Sequence, residues 1–174
     1  PGASAKDVLL DRNGYQLYVA LDGEGVYAAM APHRDRAPKA LSAADYSERA
    51  AAPGSLLSVV GMQVRQAQAN GFPAPVLSAD AGESQLQVPF EAQGSTLSLA
   101  LDGARFGLPL RETSPAIFVD RDGAPMVLDA DSGLVLDGAK PARSNSRIQI
   151  LCTGLGRVRP EWPTGVAAPL DNPP

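Results

Sequence analysis

The residues able to do chemistry are few and scattered along the chain. Gly154-Leu155-Gly156 follows the apolar run Ile148–Cys152, as a phosphate-cradling glycine loop follows its strand. A dinucleotide loop also needs a third glycine and a helix whose N-terminus faces the phosphate. Pro160 and Pro163 stand where that helix would begin, so the spacing predicts a structural turn. His33 is the sole histidine and lies in a proline-flanked stretch, so a Ser-His-Asp relay has one poorly placed option. One histidine and one cysteine are too few for a zinc site. Asp120, Asp122, Asp129 and Asp131 form two Asp-x-Asp pairs. Their oxygens suit calcium, but the spacing of a helix-flanked calcium loop is missing, and hairpin turns want the same residues. Glu83, Glu91 and Glu112 have no spacing that marks a glycosidase pair and read as surface charge. Cys152 ends an apolar strand and reads as a small buried hydrophobe, with an intermolecular disulfide as the alternative. Trp162, with Tyr15, Tyr18, Tyr27 and Tyr46, raises the idea of a sugar-stacking platform. Trp162 sits in a turn between Glu161 and Pro163, which favours packing or anchoring of a partner. The inventory points to no catalytic set, no cofactor and no metal.

The elements that must position these residues read as strands. Asp7–Asp11, Tyr15–Leu21 and Val26–Ala31 are separated by turns carrying Asn-Gly and Asp-Gly, the strongest short hairpin cue. Such a meander cannot bury a face alone. Pro32–Lys39 is charged and proline-punctuated, and reads as a linker. Ala40–Ala52 has no clean apolar period and predicts an irregular segment. Strands follow at Ser55–Val60 (Gly61 as a bulge), around Val76, at Ser84–Phe90, Ser95–Asp102 and Ala116–Asp120. A hairpin is expected across Asp131-Ser132-Gly133, and the last strand is Ile148–Cys152. Turn signals recur at roughly 8–12-residue spacing, the pattern of an all-β sandwich. The 17 glycines and 16 prolines among 174 residues also favour short elements over long helices.

Composition narrows the class further. A hydrophobic content of 44% supports a packed core. A net charge of -4 without a basic stripe argues against nucleic acid and against an anionic membrane surface. No run of about 18 apolar residues is present, so no transmembrane helix is expected. The single cysteine excludes an intrachain disulfide framework. The opening "PGASAKDV" reads as a cut end, as of a processed product.

Four segments carry a resemblance. "SAADYSERAAAPGSLLSVVG" (Ser42–Gly61), "GFPAPVLSADAGESQLQVPFE" (Gly71–Glu91), "SPAIFVDRDGAPMVLDADSGL" (Ser114–Leu134) and "IQILCTGLGRVRPEWPTGVAAP" (Ile148–Pro169) occur in that order. Together, over Ala40–Pro169, they resemble the Ig-like modules at the C-terminal ends of large secreted acidobacterial proteins. Ser42 stands where that family usually has asparagine, and Cys152 where a small or aromatic residue is usual. The N-terminal "DVLLDRNGYQLYVALDGEGVYAA" is similar to the closing strands of a β-propeller blade. The resemblance implies an immunoglobulin-like sandwich without catalytic activity, and a section of a longer extracellular chain.

The expected fold is therefore all-β: an immunoglobulin-like antiparallel β-sandwich with an N-terminal hairpin or meander. Three units are expected: meander and linker over 1–39, sandwich over 40–120, and over 121–174 a hairpin plus an incomplete second β unit with a proline-rich tail. The expected role is a structural or protein-interaction module, extracellular or periplasmic, with carbohydrate binding as the alternative. Partners would be other protein chains held by sheet edges or apolar strand faces. Ile148, Ile150, Cys152 and Trp162 are the expected contact residues.

Overall fold

Short alternating runs make strands in this chain, and left-handed dipeptides turn them. A computed structural model describes residues 4–10, 16–23, 25–30 and 38–168. Tyr15, His33, the Arg12-Asn13-Gly14 turn, most of the Pro32–Lys39 linker and the last six residues lie outside that range. Among the described residues every regular element is a strand. No helix there is long and apolar enough to cross a membrane.

β1 (Ala5–Leu10), β2 (Gln16–Leu21) and β3 (Gly25–Met30) form an antiparallel meander in the order β1-β2-β3. Val8 lies opposite Val19 and Val19 opposite Tyr27, while Leu9 lies opposite Tyr18 and Tyr18 opposite Ala28. Opposed residues share a face and neighbours alternate. Val8 and Leu9 are both exposed, as are Val26 and Tyr27, so apolar groups meet solvent on both faces.

Eight strands follow. They are β4 (Lys39–Ser42), β5 (Leu56–Val60), β6 (Ala67–Ala69), β7 (Phe72–Pro73), β8 (Val76–Ala79), β9 (Glu83–Gln87), β10 (Thr96–Leu101) and β11 (Ala104–Pro109). They form two four-stranded antiparallel sheets, in the orders β4-β5-β9-β8 and β11-β10-β6-β7. Leu57, Val59, Leu86 and Val88 of the first sheet or its margin share one buried cluster with Ala67, Ala69, Leu97, Leu99 and Leu101 of the second. Two sheets packed on a common apolar layer make the architecture sandwich-like. Burying each leucine fully contributes about 1.5–3 kcal/mol.

The turns follow from residue type. Asn70-Gly71 joins β6 to β7 and Asp102-Gly103 joins β10 to β11, with φ of 51° and 84°, and of 45° and 93°. Two successive positive φ values give the two-residue turn whose twist suits a hairpin. The Asp102 carboxylate also accepts the Arg65 and Gln66 N–H groups, at 2.8 and 2.9 Å, which fixes the entry to β6. Buried hydroxyls serve the backbone: Ser84 Oγ accepts from Val64 N at 2.8 Å and donates to the Met62 carbonyl at 3.2 Å.

Between β4 and β5 the chain crosses from one sheet to the other. Ser42 is bonded into the first sheet. Nine residues on, Ala51 forms a parallel bridge to Leu110, donating to the Pro109 carbonyl at 2.8 Å and accepting from Arg111 N at 2.9 Å. The expected irregular segment Ala40–Ala52 thus begins as an edge strand and ends as a second, minimal one. Gly61 is no bulge. It has φ 89° and ends β5; the register shifts lie in β1 and β8.

Beyond the sandwich lie β12 (Ala116–Ile117), β13 (Val127–Asp129), β14 (Ile148–Ile150) and β15 (Cys152–Thr153). β12 pairs with β15 and β13 with β14, both antiparallel. Leu99 is fully buried in the central strand β10. Leu99→Ala is expected to destabilise the chain by about 2–5 kcal/mol in urea unfolding, whereas Leu134→Ala, at an exposed position, should stay within about 0.5 kcal/mol.

Candidate functional site

The segment after Cys152 is a strap across one end of the sandwich. Thr153 Oγ1 accepts from Leu56 N at 2.9 Å, and the Gly154 carbonyl accepts from Ser114 N at 2.8 Å. Gly154 and Gly156 have φ of 80° and 90°. A Cβ on Gly154 would run into the Ser114 carbonyl, and one on Gly156 into the Glu112 carbonyl. The Gly-x-Gly step therefore lets two backbones approach, which is its structural reason in the absence of a helix. Arg157 then donates to the Phe90 and Ala92 carbonyls at 3.0 and 2.7 Å, clasping the β9–β10 connection. Thr164 Oγ1 accepts from Phe90 N at 2.9 Å and donates to Glu91 at 2.7 Å, and Gly165 N donates to Gln87 at 2.9 Å.

This strap positions Trp162. Its indole N–H donates to the Val166 carbonyl at 3.0 Å, so the ring is locked by its own turn. Trp162 lines a cleft of about 330 Å³ with Phe72, Phe90, Arg157, Glu161 and Gln93. Three aromatic rings from β7, the β9–β10 connection and the strap thus meet polar side chains around one opening, the general composition of a small-ligand pocket. Of these, sequence reading singles out Trp162 alone. The tyrosines grouped with it lie elsewhere: Tyr18 and Tyr27 in the meander, and Tyr46 beside Glu83, to which its hydroxyl donates at 2.8 Å.

The expected last strand, Ile148–Cys152, divides at Leu151. Its first part pairs with β13, its second with β12. A further segment, 134–136, runs along the other side of β13: Asp129 N donates to the Leu134 carbonyl at 2.9 Å and Leu136 N to the Val127 carbonyl at 2.8 Å. Ile150 lies opposite Val127 and Ile148 opposite Asp129. Leu128 bridges Val135, which places Leu136 opposite Val127 and Leu134 opposite Asp129. Ile148, Ile150, Val127, Leu134 and Leu136 consequently share one face. Ile148 is 48% exposed, Ile150 45% and Leu134 58%. Cys152 pairs outside that sheet; it is a half-buried free thiol opposite Ile117.

The acidic residues hold turns. Asp120 accepts from the N–H groups of Asp122 and Ala124, both at 2.9 Å. Asp129 accepts from Ser132 N at 2.8 Å and from its hydroxyl at 2.8 Å, and these bonds keep its carboxyl below the ordinary aspartate value. Asp131 pairs with Arg147. Among the described residues no group of three or more histidine, cysteine or acidic side chains is arranged to hold a metal. Asp45 lies in the loop between β4 and β5. Burial alone would raise its carboxyl, but hydrogen bonds from the Ser47 hydroxyl and N–H, with the Arg49 charge, hold it below its ordinary value. Arg49 also donates to the Pro115 carbonyl at 2.7 Å, so this pair ties the loop to β12.

No protein family model, curated protein or solved structure matches this chain.

Gly154→Ala should destabilise by about 1–3 kcal/mol, more than Gly133→Ala, where a Cβ meets open space; thermal unfolding of the two variants compares them. A lowered folded-state pKa at Asp45 contributes stability above the unfolded value, lost as pH falls below the ordinary 3.8. Asp45→Asn should flatten the acid side of a stability–pH profile measured by urea unfolding.

Proposed function

We propose that this chain is a non-catalytic extracellular or periplasmic β module that serves as a protein-contact subunit of a larger assembly. One observation carries the reading. Ile148, Ile150 and Leu134 stand on one face of a small sheet with Val127 and Leu136, Asp129 lying between Leu134 and Ile148, and nearly half or more of each of the first three meets solvent. Clustered exposed apolar side chains mark contact surfaces more than isolated ones do. The compartment rests on the resemblance to secreted modules.

The finer fold assignment, an immunoglobulin-like sandwich, is supported by strand order. Labelling β4, β5, β6, β7, β8, β9, β10 and β11 as A, B, C, C′, D, E, F and G gives sheets ABED and GFCC′. The residue hallmarks of antibody domains are absent: strand C is Ala-Gln-Ala, and the single cysteine lies outside the sandwich.

Carbohydrate binding is the second reading, favoured by the cleft where Trp162, Phe72 and Phe90 meet Arg157, Gln93 and Glu161. Aromatic faces beside polar side chains suit a ring with an apolar face and hydroxyl edges.

The two separate cleanly. A photo-crosslinking residue at position 150, in cells that make the protein naturally, should yield a discrete heavier species that is lost with Leu134→Asp. Crosslinks at exposed control positions but none at 148 or 150 would refute the contact role. Polysaccharide pull-down that disappears with Trp162→Ala would establish the carbohydrate reading instead.

A further inference from the structure

We propose that the groove between β4 and β11, edge strands of their sheets among the described residues, takes up an extended acidic peptide segment of a partner protein by strand addition. This site is separate from the apolar face of β14, and its standing does not depend on that face.

The two strands are edges of opposite sheets, and a cavity of about 640 Å³ lies between them. The phase of the β10–β11 ladder fixes which backbone groups point outward. Leu110 N donates to the Ser95 carbonyl at 2.9 Å, so in antiparallel alternation Leu108, Phe106 and Ala104 also face β10. Arg105, Gly107 and Pro109 therefore direct their backbone groups to the free side. The Pro109 carbonyl is taken by Ala51 N at 2.8 Å. Among the described residues, the N–H and C=O groups of Arg105 and Gly107 have no partner. By the same reasoning β4 turns its Ala40 groups outward, because Ala43 N donates to Leu56 O at 3.1 Å.

Side chains make the edge approachable. A Cβ on Gly107 would meet nothing within 4 Å, so the sheet face beside this edge position is open. The half-buried Phe106 and Leu108 flank it and offer apolar contact toward the core. Pro109, without an N–H, ends the available ladder. The charges favour an acidic occupant. Lys39 pairs with Glu48 at 2.7 Å and Arg49 with Asp45, which leaves Arg105 as the cation of the groove without an ion pair among the described residues. An added strand gains main-chain hydrogen bonds for affinity and alternate side-chain contacts for specificity. The fitting segment alternates apolar residues, facing Phe106 and Leu108, with an acidic residue facing Arg105.

The test is selection of a random peptide library displayed on phage against the full chain, with the enriched peptide synthesised and its affinity measured by fluorescence anisotropy. Enrichment of alternating apolar–acidic sequences is expected. Gly107→Pro should weaken the peptide roughly tenfold by removing an outward donor, and Arg105→Glu roughly fivefold. N-methylation of alternate peptide amides should abolish binding without any change to the protein, which covers the case of a variant that fails to fold. Ile150→Asp should leave affinity unchanged. No enrichment, or binders indifferent to both variants and to N-methylation, would overturn the proposal. So would a chain that dimerises through this edge, because a second copy would then be the occupant.

Discussion

Leu57, Val59 and Leu86 on one sheet and Leu97, Leu99 and Leu101 on the other cannot be sheltered singly. Neither sheet of four short strands covers its own apolar side, so each exists because the other does. The rest of the molecule follows from that pairing. Within one sheet Ala67 lies opposite Leu101 and Ala69 opposite Leu99, so small and large side chains alternate in the shared layer. Ser84, caught inside the layer, must recruit the 62–64 backbone to satisfy its hydroxyl. The crossing from Ser42 to Ala51 lets one short segment contribute hydrogen bonds to both sheets at one margin.

Much of this was legible in the residues. Leu56–Val60, Glu83–Gln87 and Thr96–Leu101 are anticipated within a few residues, the first from a short apolar run bounded by turns and the other two from alternation. Four strands were not. Ala67-Gln68-Ala69 is too short and its side chains too small to show alternation, although Asn70-Gly71 beside it marks the turn. Phe72–Pro73 and Ala104–Pro109 hide behind prolines, which belong there because both strands are edges. Lys39–Ser42 was obscured by the charged stretch preceding it.

The site was legible in fragments. Ile148, Ile150 and Trp162 were marked from the sequence, and each lies on a candidate surface. Their companions were not visible. Leu134 joins Ile148 only through the register of three segments, and Phe72 meets Trp162 only because the strap folds back across the β9–β10 connection. Such neighbours come from tertiary geometry, which local pattern does not encode. Cys152 shows the converse. It belongs to the same expected strand as Ile150, yet the break at Leu151 gives it a different partner strand and places it in a separate two-stranded ladder.

The sandwich has four edges, and they are not equivalent. At β7 the residue turned outward is Pro73, because Ala74 N is spent on Ala67; a proline cannot donate. At β8 the register slips between Val76 and Ser78, which bends the ladder away from a flat template. The sheet that contains β11 is thus receptive on one side and silent on the other. A valency of one follows at that sheet: edge-to-edge stacking of identical chains has no second docking end there from which to propagate into a fibre.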